Sequence, residues 1–189
     1  MMALDYTPLE EGMNSRERAE AALNHRQPDR VPLDLGSTSV TGIAASALTR
    51  LRVSLGLPEG RVRVHEPYQM LGVVDDDLLD RIGADFVGLG LDSTFFGFPA
   101  SDWQPFTLND GTPVLVPGRF NTLREPDGTL YQYPGGDRSL APSARMPAGG
   151  FYHDSIERQE PYDDTTLRPE EWVRDMYHVF TDEELAGYG

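Results

Sequence analysis

Cysteine is absent from this 189-residue chain, and so is lysine: all 16 basic residues are arginine. Without a thiol there is no cysteine nucleophile, no disulfide framework and no thiolate zinc site. Without an ε-amine there is no Schiff-base lysine and no phosphate-loop lysine. Positive charge is scarce altogether. Against 31 acids the arginines leave a formal net charge of -15, the opposite of the basic face that nucleic-acid binding needs. Long apolar runs are missing too. Nothing approaches the roughly 18 apolar residues of a membrane helix. The opening MMALDYTPLEEGMNSRER has no basic region followed by an apolar one, so the expectation is an acidic cytoplasmic chain rather than a secreted one.

What is present suffices for a core, since hydrophobic residues make up 39% of the chain. Residues 1–13 read as a loose leader. Asn14 or Ser15 can cap a helix over SRERAEAALNH, which Pro28 stops. Val31, Leu33 and Leu35 then alternate in VPLDLG, a short strand that delivers the small polar run Ser37-Thr38-Ser39. Apolar residues at helical spacing predict a second helix over 41–55, ended by Gly56 and Pro58. RVRVHE, 61–66, reads as a second strand. DDDLLDRIG reads as a short helix with acids in its first turn and Gly83 at its close. ADFVGLGLD, 84–92, is apolar nearly throughout, as a strand covered on both faces would be.

This alternation of helix and strand predicts βα units and a parallel sheet, whose strand ends are where sites are built. After Asp92 the pattern changes. FTLNDGTPVLV and REPDGTLYQY carry Asp-Gly between apolar runs, the mark of antiparallel strands joined by tight turns. Residues 134–150 are rich in Gly and Pro and read as a loop without regular structure. FYHDSIERQEPYDD offers one more strand. RPEEWVRDMYHVF reads as a helix with Pro169 near its first position, and Thr181-Asp182-Glu183-Glu184 as the capping box of another.

Three runs, SRERAEAALNHRQPDRVPLDLG, HEPYQMLGVVDDDLLDRIGADFVGL and GGDRSLAPSARMPAGGFYHDSI, resemble the uroporphyrinogen decarboxylase superfamily. They come nearest its methyltransferase-like branch, whose enzymes move methyl groups between corrinoid proteins and a thiol or other acceptor. The resemblance runs from Asn14 onward and implies an α/β fold, part of a (β/α)8 barrel. VPLDL, RVRVHE and DFVGLGL would be its first three strands, and 92–160 a hairpin and loop excursion over the mouth. A complete barrel takes about 250 residues, so the chain resembles the N-terminal part of one. The branch binds zinc through a His-x-Cys pair and a later Cys in its C-terminal half. Zinc and a corrinoid partner are therefore implied only for a complete barrel. The decarboxylases' Arg-Gln-Ala-Gly-Arg stretch is replaced here by Gly-Ser-Thr-Ser-Val, which speaks against porphyrinogen decarboxylation.

The candidate contact residues lie at the ends of the expected strands and in the loop. Asp34, Ser37, Thr38 and Ser39 offer hydroxyls and amides to a polar substrate, or serve as a turn and cap. His65 stands beside Glu66, with Tyr68 and Gln69 following, and a His next to a carboxylate suits general-base or ligand chemistry. Asp92 matches, by resemblance, the carboxylate with which the decarboxylase branch holds pyrrole nitrogens. Arg138 and Arg145 can fork an anionic substrate or a partner protein, or form surface ion pairs. Phe151, Tyr152 and His153 read as packing for the end of the loop. The acids at 75–77 read as a helix start rather than a metal site. The expected whole is a methyltransferase-like part, inactive alone, completed by a C-terminal half-barrel, a second copy or a corrinoid protein. A half-barrel binding module and an inactive remnant are the alternatives.

Overall fold

The computed structural model describes residues 12–58, 60–90, 92–157, 165, 168–176 and 181–186; most of the expected leader lies outside them. The chain divides into two units, Met1–Ser155 and Ile156–Gly189.

The first unit opens with α1 (Ser15–Leu23), capped as its sequence asks. Asn14 Oδ1 accepts from the Glu17 amide at 3.0 Å, and the Glu17 carboxylate accepts from the Asn14 amide at 2.9 Å. This is a reciprocal capping box. Next comes α2 (Ala45–Ser54). It starts later than the expected 41 because the residues before it have other partners. The Gly72 amide donates to Ile43 O and Ala44 bridges Leu71. Strand β1 (Val62–Glu66) turns back at once into β2 (Leu71–Gly72). Helix α3 (Asp76–Ile82) ends on Gly83 in the left-handed conformation, φ +67, the usual glycine stop.

β3 (Gln104–Thr107) and β4 (Pro113–Val116) form the hairpin foreseen around Asp-Gly. Gly111 takes φ +84 there, and Asp110 Oδ1 accepts from the Thr112 amide. β5 (Leu130–Gln132), β6 (Ala144–Met146) and β7 (Asp154–Ser155) make a second, antiparallel sheet in that order. The loop expected over 134–150 is thus partly regular. Ala144 and Met146 face the core while Arg145 faces out, a period-two pattern that makes a strand.

The expected parallel sheet of three βα strands does not form, and no closed barrel is present among the described residues. Of the three proposed strands only β1 is one. Its neighbours are β2, antiparallel, and β4, parallel through Val62–Val114 and Arg63–Leu115. The other two, 31–35 and 84–90, lie against each other instead. The Asp85 amide donates to Leu33 O at 2.8 Å, and the Leu33 amide donates to Asp85 Oδ2 at 2.8 Å. Three residues on, a Cβ at Gly88 would sit 3.2 Å from Gly36 O and Ser37 O. The two segments therefore run side by side in the same direction, but they complete no ladder. The reason is burial. Val31, Val87 and Leu89 are 82%, 68% and 66% exposed, and a parallel pair with bare faces lacks the cover such strands need.

The core lies elsewhere. Leu48 of α2, Val62 and Val64 of β1, and Val114 and Val116 of β4 pack with Phe98, Phe106, Phe120, Leu130 and Met146. The segment expected as an excursion over a mouth supplies most of this apolar cluster.

The second unit holds α4 (Pro169–Met176), with Pro at its first position and acids in its first turn, and α5 (Asp182–Ala186), following Thr181 as the capping-box sequence predicts.

Candidate functional site

The loop 34–41 is closed upon itself. Asp34 Oδ1 accepts from the Ser37 amide at 3.1 Å and its other oxygen from the Ser37 hydroxyl. The Thr38 and Thr41 side chains exchange bonds with each other's backbone at 3.3 and 3.4 Å. The Gly36 amide donates to Thr41 O at 2.9 Å. Asp34, Ser37 and Thr38 thus satisfy an Asx- and ST-turn. Ser39 is exposed.

At the end of β1, Glu66 is buried and holds the return turn. Its two oxygens accept from the Tyr68 and Gln69 amides at 3.0 and 2.8 Å. His65 points to the opposite face from Val64 and Glu66. It is half-buried, its Nε2 has no partner among the described residues, and burial pushes its pKa down. The adjacent pair is therefore divided between two faces of the strand, and the carboxylate belongs to the turn rather than to the imidazole. Asp92 is exposed, and its carbonyl accepts from the Ala100 amide at 2.8 Å. Arg145 is exposed on β6.

The charged residues of the opening motif form a network that sequence reading missed. Arg18, buried in α1, donates through Nε and Nη2 to Asp29 at 2.6 and 2.9 Å, and through Nη1 to Asp85. Arg30 donates to both Asp85 oxygens at 2.6 and 3.0 Å. Burial raises the pKa of Asp85. The Leu33 amide and the two arginines outweigh it and hold the carboxyl at about 2. Hydrogen bonding from Arg18 holds Asp29 at about 2 as well. The signal available in sequence is the set of charges Arg18, Asp29-Arg30 and Asp85, spread over two runs. Its role is to fasten α1 and 29–33 to 85, which is positioning rather than chemistry.

Two of the acids at 75–77 are engaged by arginines. Asp77 takes both Arg52 nitrogens at 2.7 Å, and Asp75 takes Arg63 at 3.0 Å. Asp75 makes no side-chain cap bond, so ion pairing rather than capping accounts for it. Among the described residues no three or more of His, Asp and Glu converge to hold a metal, and the sequence has no cysteine. The donor set of a thiolate zinc site is therefore not in this chain.

A concave groove of about 580 Å³ opens between the turn after β4 and residues 135–138. Of the expected contact residues only Arg138 lines it. Arg119, Thr122 and Asp137 join it there. Gln104 Nε2 donates to the carbonyls of Pro117, Gly118 and Phe120, at 3.3, 3.2 and 2.9 Å, fixing the backbone from which Arg119 projects. Arg119 Nη1 donates to Gly135 O at 3.2 Å, and the Arg138 guanidinium lies 5.9 Å from the Tyr133 ring centre. A Cβ on Gly136 would meet Arg119 Cβ and O at 2.7 Å, so the two walls touch backbone to backbone.

His153 reaches the core as packing predicts, at 1% exposed, edge-on to Phe96 and Phe120. Phe151 and Tyr152 are exposed instead. Among the described residues neither His153 ring nitrogen has a hydrogen-bond partner, and burial lowers its pKa to about 4.

No described helix is long and apolar enough to cross a membrane. Comparison of the chain with models of protein families, with curated proteins and with solved structures finds no match.

Proposed function

We propose that the chain is the N-terminal part of a barrel resembling the uroporphyrinogen decarboxylase-like methyltransferases, and that it does not transfer methyl groups unaided. One observation carries this reading. Segments 31–37 and 85–88 lie parallel and adjacent, registered by Arg18, Arg30 and Asp85. Parallel neighbours joined through helices are the kind of step that a βα barrel repeats, here with the expected first strand against the expected third while the second, β1, pairs with β2 and β4. Their outward apolar side chains are the surface that further strands and helices would cover. In that arrangement Thr38, His65 and Asp92 would stand at the mouth as substrate contacts, with neutral His65 as an acceptor near pH 7. The chain supplies no thiolate donor, so the thiolate zinc site of that branch would have to come from the remaining part of the barrel.

The test is a methyl-transfer assay from a methylated corrinoid to a thiol. The purified chain alone gives no turnover on this reading, and turnover appears when a polypeptide carrying the remaining strands is added. Turnover by the chain alone would overturn it.

A second reading, a self-standing binding module, has its own support. The core around Val64, Val114 and Phe98 closes within the first unit, so a ligand site there needs no further strands.

A further inference from the structure

The groove beside β4 carries an inference independent of the barrel reading. Arginines are scarce here, 16 against 31 acids, and aspartates elsewhere capture five of those among the described residues. Arg18, Arg30, Arg50, Arg52 and Arg63 all pair with aspartates. Arg119 and Arg138 line one groove, and among the described residues neither has a carboxylate partner. Each is held in place by a contact that leaves most of its donors free. Arg119 uses one N–H on Gly135 O, and Arg138 rests against the Tyr133 ring. The Thr122 hydroxyl between them makes no bond within the described residues. The walls are fixed by the Gln104 amide and by the close approach of Gly136 to Arg119. Two guanidinium forks on a fixed concave surface suit a planar carboxylate.

The wall that carries Arg138 narrows the class. Asp137 Oδ1 accepts from the Ser139 amide and hydroxyl, at 2.9 and 2.7 Å, while Oδ2 is left over. A ligand with a hydroxyl or amino group beside its carboxylate would use that oxygen. Two arginines and one aspartate leave the lining at a single positive charge, within a chain of -15. Such a field admits a small anion and disfavours a polyphosphate. A volume of about 580 Å³ is ample for a small molecule.

We propose that this groove binds a small carboxylate bearing a hydroxyl or amino group, with Arg119 and Arg138 on the carboxylate, Thr122 beside them, and Asp137 accepting from the ligand's donor.

Calorimetric titration of the whole chain tests it, with L-malate, L-serine, acetate and inorganic phosphate as the probes. Malate or serine binds saturably at millimolar concentration and more tightly than acetate. Arg119→Ala and Arg138→Ala each weaken that binding by about tenfold or more, the loss of a charge-assisted contact. Arg81→Ala, exposed at the end of α3 and outside the groove, leaves it unchanged. Asp137→Asn removes the preference over acetate. Thermal melting of each variant verifies that it is folded. The proposal is overturned if neither malate nor serine saturates, if binding survives both groove variants, or if phosphate binds more tightly than either carboxylate through the same arginines.

Discussion

Arg30 grips Asp85 with a two-pronged pair of hydrogen bonds, at 2.6 and 3.0 Å, across 55 positions of chain. The Asp85 side chain is fully buried and also accepts from Arg18 and from the Leu33 amide. A carboxylate so placed is stable only while its donors are present, because an unpaired buried charge is costly.

Asp85→Asn removes the charge that organises these donors and leaves Arg18 buried without one of its carboxylates. The expected loss is about 3 kcal/mol, the scale for breaking a buried pair. Asp34→Asn, in the exposed-side turn, costs about 1 kcal/mol or less. Urea unfolding of both variants checks the ranking. Equal losses would contradict the assignment of Asp85 as the anchor.

Acid stability divides into two windows. His153 titrates at about 4 in the folded chain against an ordinary 6.5. Its neutral form is favoured by folding, so the stability it contributes is complete above 6.5 and falls as pH drops through 6.5 toward 4. The shift corresponds to about 3 kcal/mol. Asp29 and Asp85, held at about 2, contribute stability that is present above the ordinary carboxylate range and is lost as pH falls from about 4 toward 2. His153→Phe therefore flattens the upper window and leaves the lower one. Denaturant midpoints measured at intervals from pH 7 to acid check this. A slope between 6.5 and 4 undiminished by the substitution would contradict the role of His153; the smaller remainder belongs to His65, whose pKa burial also lowers.

Gly36 takes φ +83, and a Cβ there would lie 2.5 Å from Val74 Cγ2. Both the backbone conformation and the space exclude a side chain. Gly36→Ala is expected to cost about 1–3 kcal/mol in melting experiments. Gly56→Ala is the informative control. It also has positive φ but meets nothing within 4 Å, so it bears only the conformational part, about 1 kcal/mol.

How much of this was legible in the sequence follows contact range. The helix cap at Asn14, one of the two positions that the sequence offers for it, the Gly83 helix stop and the Asp110-Gly111 hairpin are written within a few adjacent residues, and each forms. Strand neighbours are not local. VRVHE was identifiable as a strand, but nothing in it names β4 as its parallel partner. The apolar runs VPLDL and DFVGLGL look like strands because strand propensity is a statement about cover, and here the cover is absent. Among site residues, Arg138 was singled out from its glycine-rich context and does line the groove. Arg119 was missed although it stands in a similar setting, Pro-Gly-Arg-Phe, because its partner loop is distant in sequence. Asp34, Ser37 and Thr38 form the turn that their residue types favour.

The most direct test of the central claim, that segments 31–35 and 84–90 present an uncovered apolar surface, is light scattering coupled to size-exclusion chromatography. Exposed apolar edges associate unless blocked by charge. The account predicts that the wild-type chain self-associates with rising concentration, and that a variant carrying Val87→Lys and Leu89→Lys elutes as a monomer. A wild-type chain that stays monomeric throughout, or an association that the two lysines leave unchanged, would contradict it.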